Sequence, residues 1–589
     1  MTAARPPKRL FALALAGAAL LAWPSTGQTP PGEAEPKSLL PDSFAAPAPK
    51  PVAPAASVPD AAAPPADALP ATAAAAPTAP DPFDLPSATG RTVDVAGPLT
   101  PAIGGYGMGA FAGSNARFVA GLMRRVDAPI ASRWAHIVLR RALLSESATP
   151  VGINPADWIA ARAALLLRMG EIDGAKALVD FVPADRFTPT LFRVAGQVQF
   201  AAADPAGICP IASTGVAVSR DPLWPLSEAM CAALQGDDVS AARGFDAVRD
   251  KGDVDVFDVM LGERVATMAG GGGRAANIAW DEIDALTPYR FGVTTAAGVA
   301  VPPELLAKFA TATRGASYGW VWRASGMSTD ARAAAARPAA GLGIASVSEI
   351  VALRSSDAGA SSGPAADLRR AYVAATTSER VAAMRSIWGS GSSEGDRYGA
   401  HVETALAAAR LPIDSAFAAD APDLVGSMLS AGLAPAAARW ARVAANGDAA
   451  TRGRVWALLA AGGAVAVTPK AMTDWLASAN GDTRAATRHR AALLLAALDA
   501  LGRTRGDSGW DAVRTDLGLT PVTDSWTRAI DTAAAAGRPG EVAVLAGTGL
   551  QTAWGGVPAA HFGHIIAAYA RVGRSAEAQL LAAEAVMRG

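Results

Sequence analysis

A turn glycine followed five residues later by an alanine recurs along this chain and constrains its fold more than any other feature. Glycine ends a helix by adopting a left-handed backbone conformation, and a small residue in the next helix lets two backbones approach closely. Phe245 and Val248 then follow one of these alanines at helical spacing. The recurrence predicts stacked helical hairpins whose turn and packing pairs are Gly170/Ala175, Gly236/Ala241, Gly432/Ala437 and Gly573/Ala578.

Helix-start signals point to the same fold class. A polar capping residue followed by proline is typical of the first turn of a helix, and this pair occurs at Asn154-Pro155, Asp221-Pro222, Thr468-Pro469 and Thr520-Pro521. Ser346 and Glu349 have the spacing of a capping box. No comparably clear alternation of apolar and polar residues indicates strands. We therefore predict an all-α protein.

The Gly-to-Ala spacing, with apolar positions four and seven residues beyond the alanine, resembles the second half of a tetratricopeptide repeat (TPR). In that family the glycine ends the first helix and the small residue lets the second pack against it. The intervals between the pairs are irregular here, and the family's tyrosine and proline positions are mostly unmatched. The resemblance therefore implies a TPR-like α-solenoid rather than a strict array of identical repeats.

A second resemblance covers a longer block, from Phe111–Ser114 through Arg140–Leu144 to Trp224–Gly236. This block is similar to a group of uncharacterised exported bacterial helical proteins, some of which carry the label antifreeze glycopeptide polyprotein. The label describes an Ala/Pro-rich composition. The resemblance implies export and helical repeats, and it implies nothing about chemistry.

The N-terminal 27 residues are typical of a secretory signal peptide. Arg5, Lys8 and Arg9 precede an apolar run of 13 residues, Leu10–Ala22, and small residues then lead to a cleavage point after Gly27. The run is short for a membrane span, and no cysteine follows it to accept a lipid. We expect a periplasmic or secreted protein, with an uncleaved inner-membrane anchor as the alternative.

Residues 28–98 consist mainly of alanine, proline, threonine and aspartate. Proline removes backbone donors and alanine offers little surface to bury, so we expect a disordered, partly polyproline II tether. Beyond the tether, the periodicity is helical except where it weakens into glycine, serine and proline. We predict an N-terminal helical-repeat region (99–286), an irregular connection (287–365) and a C-terminal helical-repeat region (366–589).

Charge and cysteine content limit the partners. The 52 basic and 53 acidic residues give a formal net charge of -1, which argues against nucleic-acid binding. Outside the N-terminus no apolar run reaches the length of a membrane span, so none is expected after signal cleavage. Cys209 and Cys231 are the two cysteines of the chain. In an oxidising compartment they predict a structural disulfide, with two buried thiols as the alternative.

Three stretches superficially match catalytic or binding loops. Gly104–Gly109 lacks the preceding strand of a phosphate loop and is interpreted as a hinge. Ser317 and Ser361 fit the Gly-x-Ser-x-Gly pattern, but a helical pattern precedes Ser317 where a nucleophile elbow requires a strand. We predict no catalytic residues and no cofactor.

Histidine and aromatic residues give no stronger signal. His561 and His564 share one face of a predicted helix, yet no carboxylate or cysteine nearby in the sequence completes a ligand set, so no metal site is predicted. The 14 tryptophans, including Trp320 and Trp322 beside Tyr318, are expected to fill space between helices. Exposed indoles that stack on glycan rings are the alternative.

The sequence thus favours an exported, non-enzymatic helical scaffold that binds an unknown protein or peptide of the cell envelope. One alternative is a glycan-active or glycan-binding protein acting on peptidoglycan, because lytic transglycosylases also carry an alanine-rich helical superhelix. Their catalytic Glu-Ser motif is matched by Glu146-Ser147, without the Gly-Leu-Met-Gln stretch that accompanies it in that family. A structural envelope spacer is the other alternative, supported by the long tether.

Overall fold

The computed structural model of the protein describes residues 92–270, 278–357, 359–481 and 483–589. The predicted signal peptide and residues 28–91 of the expected tether lie outside these ranges. All described residues belong to one compact unit. They confirm the all-α prediction, because the strands among them are only β1 (Val95–Ala96) and β2 (Ser147–Ala148), which pair antiparallel.

The strand β1 corrects the predicted boundary of the tether, which was expected to be disordered through residue 98. Val95 lies opposite Ala148, and Thr149 donates its N–H to the carbonyl of Asp94 at 2.7 Å. The buried guanidinium of Arg162 donates to the carbonyl of Ala96 at 3.0 Å. The end of this segment is ordered because its backbone groups find partners in residues that follow much later in the chain.

The helices run in sequence through the unit. The first group is α1 (Ala116–Arg125), α2 (Arg133–Leu144), α3 (Pro155–Met169), α4 (Ile172–Asp180), α5 (Pro189–Ala201), α6 (Cys209–Val218), α7 (Leu223–Leu234), α8 (Asp238–Lys251), α9 (Val256–Met268) and α10 (Pro288–Ala296). The second is α11 (Pro303–Ala312), α12 (Ala316–Arg323), α13 (Thr329–Leu342), α14 (Val347–Ser356), α15 (Gly363–Val373), α16 (Thr377–Gly389), α17 (Glu394–Ala409), α18 (Ala421–Ser430), α19 (Ala434–Ala438) and α20 (Ala441–Ala444). The third is α21 (Ala449–Ala461), α22 (Pro469–Ser478), α23 (Thr483–Ala500), α24 (Gly509–Leu517), α25 (Ser525–Ala535), α26 (Pro539–Gly549), α27 (Ala559–Arg571) and α28 (Ser575–Arg588). Within the described ranges, none of these helices has the length and apolar character that crossing a bilayer requires.

The caps explain where several helices begin. Asn154 accepts a hydrogen bond from the N–H of Ala156 at the start of α3, and Ser346 and Glu349 form the predicted capping box of α14. Thr468 caps α22 in the same way. The predicted start at Thr520-Pro521 is wrong, because α25 begins at Ser525 with Asp524 as its cap.

The repeat glycines lie at the ends of four helices that pack against the helix that follows, in the pairs α3/α4, α7/α8, α18/α19 and α27/α28. Gly170, Gly236, Gly432 and Gly573 all have a positive φ, between 78° and 85°. The partner alanines are buried, at 0–4% exposure: Ala175, Ala241, Ala437 and Ala578.

The segment 287–365 is not the irregular connection that its composition suggested. It contains α10 to α14 and the first residues of α15. Gly292 lies inside α10, where a Cβ atom would come within 1.8 Å of the carbonyl oxygen of Phe200 in α5. Gly292 allows two helices to pack closely, and Ser346 caps the start of α14. Residue types that suggested loops therefore help to form and pack helices in this segment.

Early helices also pack against late ones. Helix α2 contacts α13, α26 and α28, and Glu584 of α28 accepts hydrogen bonds from Ser132 Oγ at 2.7 Å and from the N–H of Arg133 at 2.8 Å. In a linear stack each hairpin contacts only its neighbours. A linear stack alone therefore does not account for these contacts.

Candidate functional site

Two adjoining surface cavities lie along α7. The first has a volume of about 570 Å³ and lies between α6, α7 and α8. The second has a volume of about 370 Å³ and lies between α5, α7, α9 and α10. Asp253 lines both of them. We call the two cavities together the α7 groove.

Helix α7 contributes a different side to each of the two cavities. Pro225, Glu228, Ala232 and Gln235 line the first cavity at helical spacing along almost the whole of α7. Trp224, on a different side of the same helix, lines the second cavity. The first cavity therefore follows α7 for almost three turns, and the second opens on another side of that helix near its start.

Glycines set the close spacing of the helices beside the groove. A Cβ atom on Gly215 of α6 would lie 2.2 Å from the ring of Trp224, and one on Gly244 of α8 would lie 2.8 Å from Cβ of Ala229. Any larger residue would push α6 or α8 away from α7. The turn into α8 is fixed by Asp237, whose side chain accepts a hydrogen bond from the N–H of Ser240.

The predicted disulfide is confirmed. Cys209, the first residue of α6, is bonded to Cys231 of α7, with Cα atoms 5.4 Å apart. Both residues line the first cavity. The disulfide therefore fixes α6 against α7 at the groove itself.

Charged groups at the second cavity are mostly paired. Arg290 donates to Asp255 at 2.9 Å and to Asp258 at 2.6 Å, and Asp253 lies 2.6 Å from Lys251, which lines the first cavity. Burial raises the pKa of Asp258, and the bond from Arg290 acts in the opposite direction. The groove therefore presents both signs of charge together with aromatic surface, which suits a polar, hydrogen-bonding ligand better than a single strong charge.

The Gly-x-Ser-x-Gly serines are not in a nucleophile elbow. Ser317 lies in α12, with α11 before it in place of a strand, and its side chain is buried at 1% exposure. Its hydroxyl lies 3.0 Å from Oγ1 of Thr313. Ser361 precedes α15 and follows α14, so no strand leads into it either.

Each of the two neighbouring histidines lies next to a carboxylate that is more than 30 residues away along the chain. His561 Nε2 is 2.8 Å from Asp524, and His564 Nδ1 is 3.0 Å from Asp531. The bond from the Thr527 backbone, followed by that from His561, lowers the pKa of Asp524 to about 2. The pairs link α27 to α25. In the described part of the chain, no group of three or more histidine, cysteine or acidic side chains is arranged to hold a metal ion.

A serine, a histidine and an aspartate meet between α17 and α18, which the sequence analysis missed. His401 Nδ1 lies 3.1 Å from Ser427 Oγ, and its Nε2 lies 3.9 Å from Asp423. Burial lowers the pKa of His401 to about 4. Ser427 is fully buried and lines neither cavity of the α7 groove, so a substrate has no access to it there. No spacing in the sequence distinguishes these residues from chance.

The tryptophans of the described residues pack between helices. Trp320 and Trp322 are each 5% exposed, and the indole N–H of Trp320 donates to the carbonyl of Leu167. Every other tryptophan in the described ranges is buried or partly buried against the core. The described tryptophans that remain partly exposed are Trp280, Trp456 and Trp526.

Comparisons of the chain with protein-family models, with curated proteins and with solved structures found no match. Its function must therefore be argued from its own residues.

Proposed function

We propose that this protein is an exported helical scaffold whose TPR-like hairpins bind an extended segment of an envelope protein or peptide in the α7 groove. One observation carries the proposal, namely that the first cavity follows α7 from Pro225 to Gln235 and meets the second cavity at Asp253. Successive side chains of an extended segment need such neighbouring sites. The finer TPR-like arrangement is proposed for the hairpins that border the groove.

The lining of the groove suits a peptide backbone. Every residue of an extended peptide brings an N–H and a carbonyl that need partners. Glu228, Gln235, Ser240 and Lys251 line the first cavity with donors and acceptors, and all four are exposed. Val248 and the alanines that also line the first cavity leave room for apolar side chains of the peptide.

Export is supported by two independent features. The basic and apolar pattern at the N-terminus is typical of a signal peptide, and a disulfide such as Cys209–Cys231 forms and persists in oxidising compartments. Periplasmic fractionation with alkylation under non-reducing conditions tests this part. We expect the protein outside the cytosol with both cysteines protected. A cytosolic protein with free thiols would contradict it.

The binding proposal can be tested with a matched pair of variants on α8. Ala247 is exposed and lines the first cavity, whereas Ala242 is exposed on the same helix and does not line it. With a benzophenone amino acid at Gln235, we expect a light-dependent adduct with an envelope polypeptide in intact cells. Ala247→Trp should abolish the adduct by filling the groove, and Ala242→Trp should retain it.

Two outcomes would overturn the proposal, namely no adduct with the wild-type background or an adduct that Ala247→Trp leaves unchanged.

Incubation of the purified protein with peptidoglycan addresses the cell-wall alternative. We expect no release of soluble muropeptides.

A further inference from the structure

A separate apolar cavity of about 710 Å³ lies between α11, α12 and α13. Residues 298–301, which precede α11, and residues 326–328, which connect α12 to α13, also line it. It shares no lining residue with the α7 groove. Its volume is within the range of about 300–1,000 Å³ that is typical of small-molecule sites. Apart from Tyr318, the large side chains on its walls are apolar: Val299, Val301, Leu306, Val321 and Met327.

Few polar groups face a ligand in this cavity. Asp330, which is exposed, carries the single formal charge among the described lining residues. The hydroxyl of Ser317 is already paired with Thr313, and that of Ser328 accepts from the N–H of Ala331 at 3.3 Å. The N–H groups of Val299 and Met327 donate to their own chain. The phenol hydroxyl of Tyr318 has no hydrogen-bond partner among the described residues.

The small number of unpaired polar groups in the cavity favours an aliphatic ligand over a peptide. A peptide backbone in the cavity would bury N–H and carbonyl groups faster than the lining could pair them, and unpaired buried polar groups weaken binding. An aliphatic chain has no such groups and gains from the removal of its surface from water. The cavity therefore favours a hydrocarbon chain with one hydrogen-bonding end.

Acidic residues indicate whether the polar end of the ligand is charged or neutral. Asp330 lies on the wall, and both burial and the charge of Asp396 raise the pKa of Tyr318. A carboxylate headgroup would be repelled by Asp330 on the wall, whereas a neutral hydroxyl or ester would not.

We propose that this cavity binds the single aliphatic chain of a neutral amphiphile, with its polar end at the hydroxyl of Tyr318. The site is distinct from the α7 groove and does not depend on peptide binding there. It gives the protein a second ligand, of a class that its sequence does not suggest.

Displacement of a fluorescent probe tests the site. The neutral probe 1-N-phenylnaphthylamine should bind saturably to the purified full-length protein. Decanol should displace it at concentrations about tenfold lower than decanoate at a pH where decanoate is ionised. Equal potency of the two chains, or the absence of saturable probe binding, would overturn the proposal.

Two substitutions locate the site. Ala334 is exposed on α13 and lines the cavity, so Ala334→Trp should fill the cavity and abolish probe binding. Ala382 is exposed on α16 outside the cavity, so Ala382→Trp should bind the probe like the wild type. Unchanged probe binding in Ala334→Trp would refute the assignment.

Tyr318→Phe tests the polar end without adding volume. We expect decanol to bind about threefold to tenfold more weakly and the probe, which does not need the hydroxyl, to bind unchanged. Equal decanol affinity in Tyr318→Phe and wild type would overturn this placement of the polar end.

Phosphatidylcholine vesicles that contain a pyrene-labelled monoacylglycerol, a neutral single-chain lipid, distinguish the sources of the chain. Transfer of the label to wild type, and not to Ala334→Trp, supports a membrane lipid. Decanol binding without transfer supports a free amphiphile.

Discussion

Replacing Glu584 by glutamine should strongly destabilise the fold. The carboxylate is buried at 1% exposure and accepts four hydrogen bonds. One oxygen accepts from Ser132 Oγ at 2.7 Å and from the N–H of Trp134 at 3.1 Å. The other accepts from the N–H of Arg133 at 2.8 Å and from Arg588 Nη1 at 2.7 Å. Two of these donors belong to the first turn of α2, where backbone N–H groups have no partner within the helix.

The magnitude follows from the geometry. Whichever way the glutamine amide turns, its NH₂ group faces two donors, so two hydrogen bonds to a charged acceptor are lost at about 1.5–3 kcal/mol each. The same change breaks the buried ion pair between Glu584 and Arg588, and a loss of this kind costs about 3–5 kcal/mol with the lost hydrogen bonds included. We therefore expect Glu584→Gln to lower the free energy of unfolding by about 3–5 kcal/mol.

Urea unfolding, followed by both tryptophan fluorescence and circular dichroism, measures this change. Glu304 provides the matched control, because it is an exposed carboxylate in the first turn of α11. Glu304→Gln should change the free energy of unfolding by less than about 1 kcal/mol. A loss below about 1 kcal/mol for Glu584→Gln would refute the reasoning that this carboxylate holds α2 against α28.

Three further perturbations probe other parts of the fold. Removing the disulfide by Cys209→Ser with Cys231→Ser should lower the free energy of unfolding by about 3 kcal/mol, the chain-entropy value for a separation of 22 residues, measured in urea. Lowering the pH from about 6.5 to about 4 should lower the urea midpoint, because the unfolded chain protonates His401 at about 6.5 and the folded chain only at about 4. His401→Gln should flatten that pH profile, and an unchanged slope would contradict the assignment. Gly292→Ala should lower the free energy of unfolding by about 1–3 kcal/mol in urea because its Cβ would overlap a backbone oxygen of α5, whereas Gly389→Ala, with no atom within 4 Å, should be neutral or slightly stabilising.

Features that depend on neighbouring residues could be read from the sequence. The caps at Asn154 and Ser346 lie where predicted because a capping side chain reaches an N–H two or three residues away. The chain has two cysteines, Cys209 and Cys231, so there was one possible disulfide to predict. It forms because the fold brings the two residues together. The cavities along α7 were not predicted, since their shape depends on how far α6 and α8 stand from α7.

Composition misled where one residue type serves two purposes. Glycine and serine in 287–365 suggested an irregular connection, yet Gly292 permits close packing and Ser346 caps a helix. The same limit applies to His561, whose carboxylate partner Asp524 lies 37 residues away along the chain. Distance along the chain carries no information about such pairs.

The sequence by itself determined that the described chain is helical and where several of its helices begin, because caps, prolines and apolar spacing act within a few residues. Only the tertiary structure decided that Glu584 closes α28 onto α2, that His401 meets Ser427, and that cavities open beside α7 and α12. Helix packing joins residues hundreds of positions apart, and which faces meet depends on the shape of all of them together.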